Sequence, residues 1–280
     1  MMVILIILIA CKSLLALPTG IIFDSNKSGN FGLFAFDKKG ELHTILDTKA
    51  HEMYPFPSPD GSFVVYAVAD KPQRDSRADI WIYRKGKSPE LLIEDGTFPS
   101  TNGEQVFFEK NQKSFHSYDL KSGKTTKIFP RENSGFKGAL IAKPRVFGDW
   151  IAFTASVPRK WNAWRYNLKT DEKELLGNGC QPTEFKDHLL WVEIGKKGNR
   201  FINKQKMIFD LKDKKEYFPE AFQDRFVFFG ACPPNQHDHY TSNYEIYFTD
   251  LKSDKTAQLT NFGSSSRWPR VFDTERWKLD

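Results

Sequence analysis

The sequence predicts an all-β protein: a six-bladed β-propeller of four-stranded antiparallel blades, closed by strands from both termini. Three observations lead there. Aromatic residues make up 15% of the 280 residues, 25 of them Phe, and such rings favour pleated, half-buried surfaces. A proline-centred step recurs six times. A strand, charged turn and strand recur six times out of phase with it.

Each proline step leads into an apolar strand. Pro55 stands before Phe63-Val64-Val65-Tyr66, Pro99 before Val106-Phe107-Phe108, and Pro144 before Trp150-Ile151-Ala152-Phe153. Pro182 precedes Leu189-Leu190-Trp191-Val192, Pro219 precedes Phe226-Val227-Phe228-Phe229, and Pro269 falls near the end. The successive spacings of 44, 45, 38, 37 and 50 residues suit four-stranded propeller blades. Phe147, Phe185, Phe222 and Phe272 each fall three residues after their proline.

The hairpins supply the other half of each blade. They include Leu33 to Phe36 with Asp37-Lys38-Lys39-Gly40, Ile80 to Tyr83 with Arg84-Lys85-Gly86, and Tyr118-Asp119-Leu120-Lys121-Ser122-Gly123. Tyr166 to Asp171, Phe209 to Asp213 and Thr249 to Asp254 complete the series. Asp, Asn, Gly and Lys belong at such tips because they accept tight turns and keep them solvated.

The two series also predict how the ring closes. The first hairpin lacks a proline step, and the last step, Arg267-Trp268-Pro269-Arg270-Val271-Phe272, lacks a hairpin. Joined, they make one blade from both ends of the chain and pair strand edges that would otherwise be bare.

Tyr54-Pro55-Phe56-Pro57-Ser58-Pro59-Asp60-Gly61, its apolar strand, and Ala78-Asp79-Ile80-Trp81-Ile82-Tyr83 together resemble the repeat of the TolB-like propeller family. Ser242 to Leu251, ending in Gln258-Leu259-Thr260, is similar to the second half of that repeat. Elsewhere Asn102-Gly103, Gly148-Asp149 or Lys186-Asp187 replaces the full Ser-Pro-Asp-Gly signature. The resemblance covers the chain after residue 20, as architecture and without the N-terminal domain of TolB proper. It implies a fold, not an activity.

Met1 to Ala10 is an unbroken apolar run, shorter than the about 20 residues a spanning helix needs. It reads as a secretory signal within residues 1–19, with the propeller occupying residues 20–280. Leu8-Ile9-Ala10-Cys11 resembles a bacterial lipobox, which would lipidate Cys11; cleavage near Ala16 is the alternative. Either way the expected protein is exported and bacterial, either periplasmic or an envelope-anchored lipoprotein. A lipid on Cys11 would be its membrane contact.

The formal net charge of +6 favours anionic partners. No dense basic run interleaves with aromatics, so nucleic acid is not an expected partner. No nucleophile elbow, His-Glu-x-x-His pair, phosphate loop or dinucleotide fingerprint occurs, and no catalytic set or cofactor is expected.

Chain direction gathers the long loops on one face: Asp70 to Ala78, Val157 to Asn162, Gly195 to Arg200 and Ala231 to Asn243. Arg74, Arg77, Arg159, Lys160, Trp161 and Tyr240 fall there as candidate binding residues, with His237, Asp238 and His239 beside them. His237 and His239 would point the same way on an extended segment. The other histidines are scattered over other blades, so a metal is not expected. Cys180 and Cys232 fall on the same face of adjacent blades as a candidate disulfide. The function expected is a monomeric, non-enzymatic binding or scaffold module that presents this face to a protein or anionic glycan of the envelope. The alternative is a polysaccharide lyase or hydrolase with a His-based site on the same face.

Overall fold

The structure is a computed structural model and describes residues 16–73, 76–195, 199–204, 206–236 and 238–279. Cys11, Arg74 and His237 lie outside the described residues. Within them there is no helix, and 24 strands form six four-stranded antiparallel sheets. From the channel outwards, blade two runs through His51–Pro57, Val64–Ala69, Ala78–Tyr83 and Glu90–Ile93. Blade three runs through Thr97–Thr101, Gln105–Lys110, Ser114–Asp119 and Thr125–Phe129; blade four through Ile141–Phe147, Trp150–Ala155, Asn162–Asn167 and Lys173–Asn178. Blade five holds Cys180–Phe185, His188–Ile194, Asn199–Asn203 and Lys206–Phe209. Blade six holds Lys215–Phe222, Phe226–Cys232, Glu245–Asp250 and Lys255–Gln258.

Blade one is the composite that the two repeat series require. Its inner strand is Ser266–Phe272, followed outwards by Gly20–Ser25, Gly32–Phe36 and Leu42–Leu46. Ser266 pairs with Ser25 and Phe272 with Gly20. Leu17 is buried against Ile21, Phe23 and Phe34, so propeller packing begins inside the expected signal boundary at residue 19.

The second strands read as apolar runs because neighbouring blades cover both of their faces. Val64–Ala69 and Phe226–Cys232 bury nearly every side chain, whereas the outer strand Lys255–Gln258 is largely exposed. The many phenylalanines fill the wedges between blades. Between blades three and four, Phe129 and Phe136 stand 4.9 and 5.2 Å from Phe153, spacings at which offset or edge-on rings attract.

The prolines do more than announce a strand. Each lies within an inner strand, where an X-Pro dipeptide forms a bulge that interrupts the pairing with the second strand. The residue before each of these six prolines has positive φ, from 49° at Phe98 to 62° at Lys143. This conformation costs about 1–3 kcal/mol for a non-glycine residue, and six such residues persist because the ring holds them.

A C-terminal tail beyond the repeats braces the closure. Trp277 is 3% exposed and its indole N–H donates to the Gly61 carbonyl of blade two at 2.8 Å. Its ring lies 5.1 Å from Phe272 and 5.5 Å from Tyr83, and Glu275 pairs with Lys38. Deleting residues from Ser264 onwards is therefore expected to abolish the cooperative unfolding transition of the whole ring. Trp277→Ala alone should cost about 3–5 kcal/mol in urea unfolding. Retention of a wild-type transition by the truncated chain would contradict closure by the termini.

Candidate binding face and channel neck

The six residues before the prolines are Tyr54, Phe98, Lys143, Gln181, Phe218 and Trp268. They encircle the channel and narrow it to a space of about 30 Å³. Tyr54 stacks on Phe98 at 4.1 Å, Trp268 lies 5.3 Å from Phe98, and Phe218 lies 4.4 Å from Trp268. The Lys143 ammonium stands 5.6 Å from the centre of the Phe98 ring and 5.2 Å from that of Trp268, within cation–π range. Gly230 makes room for this collar: a Cβ there would approach the Phe218 ring to 2.8 Å.

Each bulge takes an amide out of the regular ladder, and an unsatisfied buried amide costs about 1–3 kcal/mol. At four junctions the acceptor is a side chain of the preceding blade. Asp24 Oδ2 accepts from Tyr54 N at 2.9 Å, Glu109 Oε2 from Lys143 N at 2.7 Å, and Thr154 Oγ1 from Gln181 N at 3.0 Å. Asp24, Glu109 and Thr154 occupy matching second-strand positions, each opposite the residue just before its own blade's bulge. Blade five carries Val192 at that place, which has no acceptor, and Gln181 Oε1 takes the Phe218 amide instead at 2.6 Å.

Asp24 also receives the closing strand. Arg267 and Asp24 are both fully buried, with Nε to Oδ1 at 2.9 Å and Nη2 to Oδ2 at 3.3 Å. The guanidinium lies 3.8 Å from the Phe31 ring centre, and it donates to the His239 carbonyl. Burial lifts the Asp24 carboxyl above its ordinary range, even against the pull of Arg267 and the Tyr54 amide.

Above the neck, on the side of the long loops, is a funnel of about 350 Å³. Trp161, Asp238, His239 and Tyr240 line it, so four of the candidate binding residues converge. The funnel also uses Phe98, Gln112, Lys143, Cys180 and Tyr217, which belong to inner strands or a short turn and carry no loop signature. An adjoining cavity of about 600 Å³ over blades two and three shares Gln112 and includes Arg77 at its edge. Arg77 is 64% exposed and lies 3.7 Å from Asp79. Arg159 and Lys160 line neither cavity; their carbonyls instead accept from the Asn162 side chain.

The polar groups of the funnel are built into its walls. Asp238 Oδ1 accepts from Tyr240 N and Thr241 N, both at 2.8 Å, and from the Thr241 hydroxyl at 3.1 Å. His239 Nδ1 stands 3.4 Å from the Lys143 ammonium, and its ring meets Tyr217 edge-on at 4.7 Å. The Tyr54 hydroxyl donates to that of Tyr240 at 3.1 Å. The loop carrying Asp238 to Tyr240 thus folds down onto the channel mouth.

Cys180 and Cys232 do not form the candidate bridge: both are free, buried thiols within one apolar cluster. Burial pushes the Cys180 thiol up to about 11, and an inert buried thiol follows from that. Among the described residues, one trio has ligand atoms close enough to share a metal: Asp37, Glu41 and His43. It lies in the blade-one hairpin, where Asp37 accepts from Glu41 N and pairs with His43 at 2.8 and 2.9 Å.

Comparison with solved structures places the fold. TolB from Acinetobacter baumannii superposes with a TM-score of 0.67 at 14% identity, covering 90% of this chain and 66% of that one. A chain of a nidogen/laminin complex gives 0.64 at 12% identity, covering 90% of this chain and 98% of that one. A puromycin-hydrolysing peptidase of Mycobacterium tuberculosis gives 0.53 at 11% identity, covering 82% and 42%. No protein-family model and no curated protein matches the sequence. At these identities the likeness shows architecture: the chain is a TolB-like six-bladed propeller. Its fold is shared by complex-forming and peptidase proteins alike.

Two outcomes follow from the neck. Arg267→Met, which strands a buried carboxylate, should cost about 3–5 kcal/mol, and adding Asp24→Asn should recover part of that loss. Simple additivity of the two losses in urea unfolding would contradict the pairing. The second outcome concerns Glu109, which burial raises to about 8 against the opposing Lys143 amide and charge. An unfolded Glu titrates near about 4.3, so between those values the folded chain holds the extra proton and stability falls as pH rises. Glu216, also raised to about 8 by burial, adds to the same slope. Glu109→Gln should flatten the decline in melting temperature from pH 5 to 8.5; an unchanged slope would show that Glu109 is ionised throughout.

Proposed function

We propose that the protein is an exported, non-enzymatic binding module whose loop face takes a segment of a protein partner across the channel mouth. The observation that carries this reading is the way the funnel is built. Its ionisable groups, Asp238, His239 and Lys143, hold the loop and collar together, while Phe98, Trp161, Tyr217 and Tyr240 offer ring surface. Aromatic walls around fixed polar groups suit recognition. The funnel and the cavity beside Arg77 adjoin at Gln112, a continuous concave surface suited to an extended segment. A similar propeller occurs in a nidogen/laminin complex, which supports such use.

Export rests on the apolar run Met1 to Ala10. Leu17 N donates to the Lys38 carbonyl at the blade-one hairpin tip at 2.8 Å. The chain therefore joins the ring on the hairpin face, opposite the funnel.

Site-directed photocrosslinking in envelope extracts tests the reading. A benzophenone side chain at position 161 or 77 is expected to capture one and the same protein, while one at Lys121 on the hairpin face does not capture that protein. Trp161→Ala should reduce capture from position 77 severalfold. Equal capture of that same protein from all three positions, or a product removed by polysaccharide digestion, would overturn it.

A further inference from the structure

The channel has a second mouth, on the hairpin face, that the loop-face reading does not use. Its floor is the ring of residues following the prolines, among them Phe56, Arg145, Thr183, Glu220 and Arg270. Arg145 Nη1 donates to Glu220 Oε2 at 2.8 Å, and Arg270 Nη1 donates to the same oxygen at 3.2 Å. The three side chains are only 16%, 10% and 11% exposed, in the order Arg145, Arg270, Glu220. Both guanidiniums lie against Phe56, at 5.4 and 5.6 Å from its ring centre, and Arg145 also donates to the Thr183 hydroxyl.

Two guanidiniums thus share one carboxylate oxygen, leaving one positive charge in excess in a mostly buried ring. Arg270 Nε is buried without a hydrogen-bond partner. Burial pushes Arg270 down to about 10 against the attraction of Glu220; Arg145 adds to the fall and the more distant Asp24 opposes it. An uncompensated charge at low dielectric is costly, and a second carboxylate is the group that guanidiniums pair with best.

The ring opens into a cavity of about 590 Å³, with Glu184 on its wall and Asp273 at its edge. The charge therefore runs from positive at the floor to negative at the opening. We propose that this mouth is a carboxylate-binding site, taking the carboxylate end of a ligand whose outer part carries a cationic group. A peptide C terminus ending in Lys and a free basic amino acid share that chemistry. Polyanions are disfavoured by Glu184 and Asp273.

Isothermal titration of the full chain with Gly-Gly-Lys, its C-terminal amide and free lysine tests the site. The acid is expected to bind at least tenfold more tightly than the amide. Glu220→Gln, which frees both guanidiniums, should tighten the acid severalfold, and Arg145→Gln should weaken it about tenfold. Lysine binding as tightly as the tripeptide would assign the site to free amino acids; lysine binding tenfold more weakly would assign it to chain termini. Equal affinity for acid and amide, or binding of neither, overturns the proposal without reference to any variant. So does a folded Glu220→Gln variant with unchanged affinity for the acid. None of these results bears on capture at the loop face, which is read from positions 161 and 77.

Discussion

The contact between Arg267 and Asp24 joins side chains 243 positions apart in sequence, both without solvent exposure. Asp24 belongs to the first strand of the chain, Arg267 to the last, and the same carboxylate accepts the Tyr54 amide of the next blade. A ring of blades has one junction that chain connectivity does not supply, and this is where that junction is made. Burying two charges is unfavourable unless their hydrogen bonds are well satisfied. Here Asp24 gains three donors, and the guanidinium gains the Phe31 face and the His239 carbonyl. The last of these draws the loop that lines the funnel onto the closing strand, so closure and candidate site share one residue.

The bulge at each X-Pro step extends that logic around the ring. It turns one side chain per blade into the channel, which produces the collar of Tyr54, Phe98, Lys143, Gln181, Phe218 and Trp268. The collar divides the channel into a loop-face funnel and a hairpin-face mouth of different chemistry. Aromatic rings and Lys143 face the first; Arg145, Arg270 and Glu220 floor the second. The left-handed backbone at these positions is maintained from outside the residue, by acceptors such as Glu109 and Thr154 on the preceding blade. Neighbouring blades therefore depend on one another through the backbone amide as well as through apolar contact.

Much of this was legible in the sequence because blades repeat. Pro55, Pro99, Pro144, Pro182, Pro219 and Pro269 and the out-of-phase hairpins fix six blades and the composite first blade. Chain direction placed Trp161, Asp238, His239 and Tyr240 on one face. What the period does not encode was hidden. Asp24, Glu109 and Thr154 do the same work with three different side chains, and Gln181 replaces them from another position, so no motif marks the latch. Lys143 reads as a lysine before a proline until the ring places aromatic rings around it. Trp277 follows the last repeat unit, where no spacing predicts a partner, and the thiols of Cys180 and Cys232 share a face and a cluster without forming a bond.

Native-state hydrogen exchange at the Tyr54 amide tests most directly whether the ring depends on its closing junction. If Asp24 and Arg267 hold the two ends as described, this amide opens only when the whole ring unfolds. It should then share its opening free energy and denaturant dependence with the inner-strand amides of blades three to six. Exchange of the Tyr54 and Ile22 amides through a smaller, denaturant-independent opening, with the other blades still protected, would show that blade one frays alone and would contradict the account.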